Sequence, residues 1–137
     1  MLDVMKLLEE TGAHLQGHFL LSSGLHSDHY FQCARLLQYP DKAEAVGREL
    51  ASRFEGEGIR AVVSPAMGGI VIGQETARGL GVRHVFGERG KDDQMTIRRG
   101  FELEPGERVL LVEDVVTTGK SILELKDVVE KMGADIF

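Results

Sequence analysis

The sequence predicts a doubly wound α/β domain, with a mostly parallel sheet, helices on both faces and a small N-terminal hood. Short apolar runs rich in β-branched residues alternate with amphipathic segments through residues 39–137, which is the pattern of strand and crossover helix. Residues 1–38 have a different pattern, with one helix and two short extended segments. We therefore expect a single domain over residues 1–137, whose last strand is incomplete.

Bulk composition is that of a globular protein. The chain has 137 residues, 42% of them hydrophobic and 28% charged, with a net charge of −6. This charge gives no sequence-wide attraction to nucleic acid or to an anionic membrane. Cys33 is the one cysteine, so an intramolecular disulfide is excluded, and no apolar stretch approaches the roughly 18 residues of a membrane span. Charged residues interrupt the first ten positions, and a cytoplasmic protein is expected.

The N-terminal part begins with a helix of about ten residues from Leu2 that ends near Gly12. Apolar segments at Phe19–Leu21 and Tyr30–Phe31 then flank a polar turn. We call residues 14–32 the hood. It could cover a planar base with hydroxyls and an aromatic face, or it could be a surface hairpin.

A metal site in the hood is disfavoured. His26, Asp28 and His29 are close in sequence, but the segment is not helical and no cysteine or second acidic cluster lies near it in sequence. Solvent-exposed histidines are expected instead.

The α/β core is predicted from the spacing of apolar residues and from the glycines and prolines that separate the apolar segments. Its helices begin at Pro40, Ile70 and Ile122, where apolar residues recur at three- and four-residue steps. The strands are shorter apolar runs. In chain order the strands are 59–63, 82–86, 109–112 and 134–137. The helices are 40–54, which precedes the first strand, and 70–80 and 122–132, which lie between strands.

Residues 113–121 form a polar loop between the strand 109–112 and the last helix. Glu113 and Asp114 are adjacent carboxylates that repel each other unless hydroxyls, amides or a cation compensate them. Residues 117–121 supply hydroxyls, a glycine and N–H groups at a helix N-terminus, which suits a phosphate. A Walker A loop is excluded because Asp114 stands where that motif needs glycine. An ordinary strand-to-helix loop remains the alternative.

A second small-residue loop, Ser64–Gly69, follows the strand 59–63. Gly68 and Gly69 permit close approach of the main chain to an anion. Because adjacent parallel strands present their C-terminal loops to one crevice, this loop and the loop 113–121 are expected to form one site.

The most charged segment is Glu88–Arg99. Its cations are Arg89, Lys91, Arg98 and Arg99, interleaved with acidic residues. Two interpretations are open: a solvated hairpin arm, or a mobile lid that brings cations onto a polyphosphate and excludes water.

The strand, Glu-Asp pair and Thr-Thr-Gly-Lys-Ser of residues 109–121 resemble the signature of the type I phosphoribosyltransferases. Nearly the whole chain is similar to the orotate phosphoribosyltransferase family. The matching pieces are residues 17–24 with Ser27 and Tyr30, Pro65–Gly69, Glu88–Arg89 and Arg98–Phe101. The hood favours orotate over a purine base.

The resemblance implies a Mg²⁺-dependent transfer from phosphoribosyl pyrophosphate (PRPP) to N1 of orotate. It implies catalytic roles for Asp114, Lys91 and Arg89, and metal contacts, largely through substrate, for Glu113 and Asp114. The implied orotate residues are Thr117, Ser22, Tyr30 and Phe31. The implied PRPP residues are Met67, Gly68, Arg89, Lys91, Glu113, Asp114, Val115, Val116, Thr117, Thr118, Gly119, Lys120 and Ser121.

Family members are homodimers whose lids reach into the neighbouring subunit, and they continue past the position of Phe137, so this chain is expected to be short at its C-terminus. Many have a lysine where this chain has Ser22, a second basic residue where it has Gly90, and a histidine in the lid. A phosphoribosyltransferase for another base and a non-catalytic RNA-binding regulator on the same fold are the alternatives.

Overall fold

A computed structural model describes residues 1–21 and 23–137. These residues form a two-stranded hairpin and a five-stranded sheet with helices. The helices are α1 (Val4–Glu10), α2 (Ala34–Leu37), α3 (Pro40–Ser52), α4 (Gly69–Leu80) and α5 (Lys120–Lys131). The strands are β1 (His14–Leu20), β2 (His26–Phe31), β3 (Ala61–Pro65), β4 (Arg83–Arg89), β5 (Met95–Thr96), β6 (Arg108–Leu111) and β7 (Asp135–Ile136).

The main sheet has the strand order β5-β4-β3-β6-β7. Strand β3 lies at its centre, where Val63 is opposite Val85 of β4 on one side and Leu111 of β6 on the other, both in parallel pairing. Strand β7 continues the parallel sheet beside β6, whereas β5 is antiparallel to β4. The carboxyl ends of β3 and β6 are therefore neighbours, as the sequence predicts.

Each face of the sheet is covered by helices, because the strands are apolar on both sides. On one face Leu125 and Val129 of α5 pack against Val63, Val85 and Val109. On the other face Ile72 and Ala77 of α4, backed by partly buried residues of α3, pack against Val62, Leu110 and Val112. This arrangement confirms the doubly wound α/β class.

Helices α3 and α4 lie unusually close together. A methyl group added at Gly47 would lie 2.6 Å from the backbone carbon of Glu75, and one at Gly79 would lie 2.6 Å from Cβ of Ala51. Only glycine fits at these crossing points without a shift of the backbone. The close packing fixes α4, and therefore the loop that precedes it, against the sheet.

The element boundaries differ in detail from those predicted. The strand predicted at 59–63 lies at Ala61–Pro65, and the helix predicted from Leu2 begins at Val4, where the Asp3 side chain accepts a hydrogen bond from the Lys6 amide. A short helix at Ala34–Leu37 was not predicted. The hood is an antiparallel hairpin with an irregular register between Gln16 and Phe19.

Within the part of the chain that the structure describes, no helix has both the length and the apolar character to span a bilayer.

The position of Leu125 gives a direct test of the core. Its side chain is fully buried at the centre of the face that α5 covers, whereas Leu123 on the same helix is 57% exposed. Replacement Leu125→Ala should lower the free energy of unfolding by about 2–5 kcal/mol, because a cavity is left and apolar contacts are lost. Urea unfolding followed by circular dichroism measures the change.

Leu123→Ala is the matched control and should change the free energy of unfolding by about 0.5 kcal/mol or less. Equal losses for the two variants would show that α5 does not pack as described.

Candidate functional site

Two loops meet at the carboxyl edge of the sheet. The loop after β3 runs through Met67 and Gly68 into α4, and the loop after β6 carries Glu113 and Asp114. A methyl group added at Gly68 would lie 2.8 Å from Oδ2 of Asp114, and one at Gly69 would lie 3.5 Å from Oε1 of Glu113. The sequence prediction that these loops share one crevice is confirmed.

The first loop is fastened to the sheet while its tip stays exposed. The Ala66 amide donates a hydrogen bond of 2.7 Å to the carbonyl of Gly87, and the peptide bond between Ala66 and Met67 is cis. The Met67 side chain is 84% exposed. Gly68 therefore lies beside Asp114 in the crevice, directly after the exposed Met67.

Glu113 and Asp114 form a carboxylate pair. Burial raises the pKa of Glu113 to about 8, and the hydrogen bond and negative charge of Asp114 contribute in the same direction. Such a pair favours ligands that bring positive charge or hydroxyl donors. A sugar with neighbouring hydroxyls, or a hard cation, meets that requirement.

A polar cavity of about 340 Å³ lies beside the carboxylates. Its wall is made by the loop after β6, by the start of α5, by Arg89 at the end of β4 and by Ser23 of the hood. We call it the anion pocket. The lining residues are Ser23, Arg89, Glu113, Val115, Val116, Thr117, Thr118, Gly119, Lys120, Ser121 and Ile122.

The start of α5 gives the anion pocket its donors. Gly119 has φ of +80°, a conformation that favours glycine, and no described side chain caps this helix end. Thr118 Oγ1 lies 3.4 Å from the Lys120 amide, which is a weak contact. The amides of the first turn, the hydroxyls of Thr117 and Ser121 and the positive end of the helix dipole therefore lie at the wall of the anion pocket, where they suit an anion.

Arg89 lies at the side of the anion pocket. Its Nη2 is 3.4 Å from Ser121 Oγ, and its guanidinium makes a two-point ion pair with Glu124, at 2.7 and 3.2 Å. Hydrogen bonding with Glu124 raises the pKa of Arg89, so the guanidinium is charged at every relevant pH. Arg89, one of the cations of the charged segment, thus lies beside the loop 113–121, which we call the phosphate loop.

The rest of the charged segment is a short hairpin formed by β4 and β5. At its base Glu88 accepts hydrogen bonds from Arg98 and Arg99, which lower the pKa of Glu88 to about 2. Arg99 also lies over the Phe86 ring, 5.8 Å from its centroid. Of the two interpretations, the hairpin describes the observed conformation, and Arg98 and Arg99 serve its base.

Several predicted residues lie away from the anion pocket. Lys91 is exposed at the tip of the hairpin, and Tyr30 and Phe31 are on β2, where Tyr30 packs against Phe19 with ring centroids 5.6 Å apart. Ser22 lies outside the described residues. Among the described residues predicted to contact orotate, Thr117 lines the anion pocket.

The hood histidines belong to two separate pairs, and all of them are exposed except His14, which is half-buried. His29 Nδ1 is 2.7 Å from His14 Nε2, and His26 Nδ1 is 2.7 Å from His18 Nε2. His26 and His29 therefore have different partners.

An apolar cavity of about 370 Å³ lies on the other side of the carboxylates, between α1, α2 and α3. Cys33 lines it, and its thiol donates a hydrogen bond of 3.7 Å to the carbonyl of Asp114. Burial and the Asp114 charge raise the pKa of Cys33 to about 11, so the thiol is not a nucleophile at neutral pH. Cys33 is a half-buried structural residue.

Sequence reasoning missed two polar residues of the site. Ser23 lines the anion pocket from the hood, and Glu124 fastens Arg89. The apolar Ile122, also not predicted as a site residue, completes the lining. The spacing from Ser121 to Glu124 places both on one face of a helix, which was a usable indication for Glu124. Its partner lies 35 residues earlier, and only the fold brings the two together.

The ionisation of Glu113 gives a prediction for stability against pH. The folded chain binds this proton more tightly than the unfolded chain, where the pKa is near 4.5, so stability should fall as pH rises from there toward 8. Glu113→Gln removes the ionisation. The variant should therefore gain stability relative to the natural chain at about pH 8.5 and gain less at about pH 5.

Urea unfolding without divalent cations measures the difference at each pH. Glu104→Gln, in an exposed loop, is the control, and its difference in stability from the natural chain should be nearly the same at the two pH values. A Glu113→Gln difference that is the same at both pH values would contradict the raised pKa.

Comparison with known proteins gives a consistent result. Residues 33–137 match the family described as phosphoribosyl transferase domain. The chain is 54% identical over 134 residues to the orotate phosphoribosyltransferase of Pelotomaculum thermopropionicum, covering 98% of this chain and 70% of that protein. It is 53% identical to the orotate phosphoribosyltransferase of Nitratiruptor, covering 98% of this chain and 67% of that one.

Solved structures show the same fold. The crystal structure of orotate phosphoribosyltransferase from Aeropyrum pernix superposes with a TM-score of 0.79 at 28% identity, over 98% of this chain and 77% of that one. Adenine phosphoribosyl transferase from Trypanosoma brucei gives 0.71 at 18% identity, covering 94% of this chain and 63% of that one, and this likeness concerns the fold alone. With the two loops at one sheet edge and relatives of about half identity, the chain belongs to the orotate phosphoribosyltransferase family.

Proposed function

We propose that this chain transfers ribose 5-phosphate from PRPP to N1 of orotate, giving orotidine 5′-monophosphate and pyrophosphate in pyrimidine biosynthesis. The observation that carries the proposal is the union of a carboxylate pair and an anion pocket in one loop, residues 113–121. That arrangement fits a ligand with a phosphate at one end and ribose hydroxyls next to it.

The anion pocket takes the 5-phosphate. Amides at the start of α5 and hydroxyls of Thr117, Thr118 and Ser121 donate to its oxygens, and Lys120 adds positive charge nearby. Val115 and Val116 complete the wall without competing for the phosphate. Holding the substrate at its non-reacting end positions the ribose for reaction.

The carboxylates of Glu113 and Asp114 face the ribose. As the bond from C1 to pyrophosphate breaks, pyrophosphate leaves with the electron pair and positive charge develops on the ribose. The bond from C1 to N1 of orotate then forms, and the N1 proton passes to solvent. A negative group beside C1 stabilises that charge more than it stabilises the ground state. Asp114 and Glu113 are therefore assigned electrostatic and hydroxyl-binding roles, and no covalent nucleophile is required.

Glu113 and Asp114 also suit Mg²⁺. Carboxylate oxygens are the ligands that this ion prefers. Bound through substrate oxygens, Mg²⁺ would neutralise charge on the diphosphate. Main-chain groups at Met67 and Gly68 border the same crevice and are assigned to the pyrophosphate side.

The remaining assignments rest on the resemblance. Arg89 and Lys91 are proposed to meet the polyphosphate, Arg89 from its observed place at the pocket and Lys91 from the hairpin tip. Thr117, Ser22, Tyr30 and Phe31 are proposed to contact orotate. Homodimerisation with shared lid residues and a cytoplasmic location remain part of the proposal on the same ground.

Two other functions are not favoured. Relatives of about half identity are named orotate phosphoribosyltransferases, which argues against a purine base. A net charge of −6 argues against an RNA-binding regulator.

The charge of Asp114 should be essential to turnover. Asp114→Asn keeps the shape that packs against Gly68 but removes the negative charge, so turnover with orotate should fall at least about 100-fold while the thermal unfolding curve stays close to that of the natural chain. Pyrophosphate release measures the rate. Asp127→Asn, on the exposed face of α5, is the control. Retained activity in Asp114→Asn would remove Asp114 from its assigned role.

The choice of base is tested with a panel. Orotate, adenine, xanthine and uracil are offered in turn with PRPP and Mg²⁺, and product is followed by chromatography. We expect turnover with orotate alone. Turnover with a purine only would overturn the assignment, and a shift of RNA on a gel without any turnover would favour the regulator.

A further inference from the structure

The ion pair between Arg89 and Glu124 connects two parts of the site. Arg89 is the last residue of β4, and Glu124 lies on α5, one turn after Ser121. Nη1 of Arg89 donates to Oε2 of Glu124 at 2.7 Å, and Nη2 donates to Oε1 at 3.2 Å. This parallel two-point geometry fixes the plane of the guanidinium as well as its position.

The pair is partly shielded from water. The Arg89 side chain is 28% exposed and the Glu124 side chain 31% exposed. Arg89 lowers the pKa of Glu124, so the carboxylate is charged at neutral pH. Other ion pairs on the helices, such as Lys126 with Glu130, are more exposed and stay within one helix. The pair between Arg89 and Glu124, by contrast, joins the helix that follows the phosphate loop to the charged hairpin.

The remaining contacts of Arg89 show which edge faces a ligand. Nη1 also donates to the carbonyl of Asp93 at 2.9 Å, so its two N–H groups are used by Glu124 and by the hairpin. The second N–H of Nη2 points toward Ser121 at 3.4 Å, a long contact with a residue that lines the anion pocket. An anion in the pocket can accept from this N–H without breaking the pair with Glu124.

We propose that Glu124 is a positioning residue that holds the Arg89 guanidinium at the wall of the anion pocket, ready to donate to an oxygen of the 5-phosphate of bound PRPP. The inference rests on the proposed function for the identity of the ligand, and it adds a residue that does not touch the ligand. Pre-organisation of an arginine lowers the entropy lost when the anion binds. Glu124 therefore increases affinity even though its own charge is negative.

The opposite role, a competitor that occupies Arg89 until phosphate displaces it, predicts the opposite sign. Loss of a competitor would tighten binding, whereas loss of a positioning group weakens it. The two edges of the guanidinium are used separately here, one by Glu124 and one toward the pocket, which favours positioning.

A double-mutant cycle tests the proposal. Four proteins are titrated with PRPP and Mg²⁺ by calorimetry: the full chain, Glu124→Gln, Arg89→Ala and the double variant that carries both substitutions. Glu130→Gln, on the exposed face of α5, is the control. Glu124→Gln should weaken binding about 3- to 10-fold. The double variant should bind no more weakly than Arg89→Ala alone, because Glu124 acts through Arg89.

Steady-state kinetics separates positioning from a purely structural role. In Glu124→Gln the KM for PRPP should rise by a similar factor while the KM for orotate stays unchanged; a change of both would indicate general damage to the site and overturn the proposal. Unchanged or tighter PRPP binding in Glu124→Gln, or additive losses in the cycle, would also overturn it. Absence of orotate turnover in the natural chain, with an intact coupling in the cycle, would overturn the proposed function and leave the role of Glu124 standing.

Discussion

The close approach of Asp114 to Gly68 is the constraint on which the site depends. With β3 and β6 paired directly in a parallel sheet, the loops that follow them have no freedom to separate. A carboxylate from one loop then occupies the volume that any side chain at position 68 would fill. The pairing of two buried apolar strands thus dictates both the placement of the acid and the need for a glycine opposite it.

Charge is distributed within the site in two opposed halves. The carboxylates of Glu113 and Asp114 form the negative half, and Arg89, Lys120 and the start of α5 form the positive half, within one crevice of an acidic protein. Substrates with a phosphate and a ribose that becomes cationic match both halves together. Burial and the neighbouring Asp114 raise the pKa of Glu113, as is common for paired carboxylates at functional sites.

The strands, helices and loops that could be predicted are those whose pattern lies in consecutive residues. The apolar run 109–112 and the stripe that includes Leu125 and Val129 predicted a buried strand and the helix that covers it, because burial on both faces leaves few polar choices. The acidic pair and the hydroxyl residues of the loop 113–121 predicted a site for an anion next to carboxylates. The short α2 has too few residues for a periodic pattern, and apolar Ile59 and polar Ser64 misled the placement of β3, whose Ser64 is buried with its hydroxyl 2.5 Å from His84 Nε2.

Pairings between distant residues could not be predicted in this way. Arg98 and Arg99 offered two interpretations until the fold placed Glu88 between them, and Glu124 looked like any acidic residue on a helix surface. In each case the sequence shows the charge but not the partner, because the partner is set by the sheet order and not by spacing along the chain.

The base-binding half of the site is built on different physics from the phosphate half. The phosphate loop is part of the main sheet and its helix, whereas the hood is a separate two-stranded hairpin stabilised by ring contacts such as Phe19 with Tyr30. A hairpin of this kind gains little stability from its own pairing. The hood can therefore diverge without disturbing the sheet, and one fold is shared by proteins named for orotate and for adenine. In the proposed function, base choice is therefore assigned to the hood, and the loops at the sheet edge are assigned to the ribose and its phosphate.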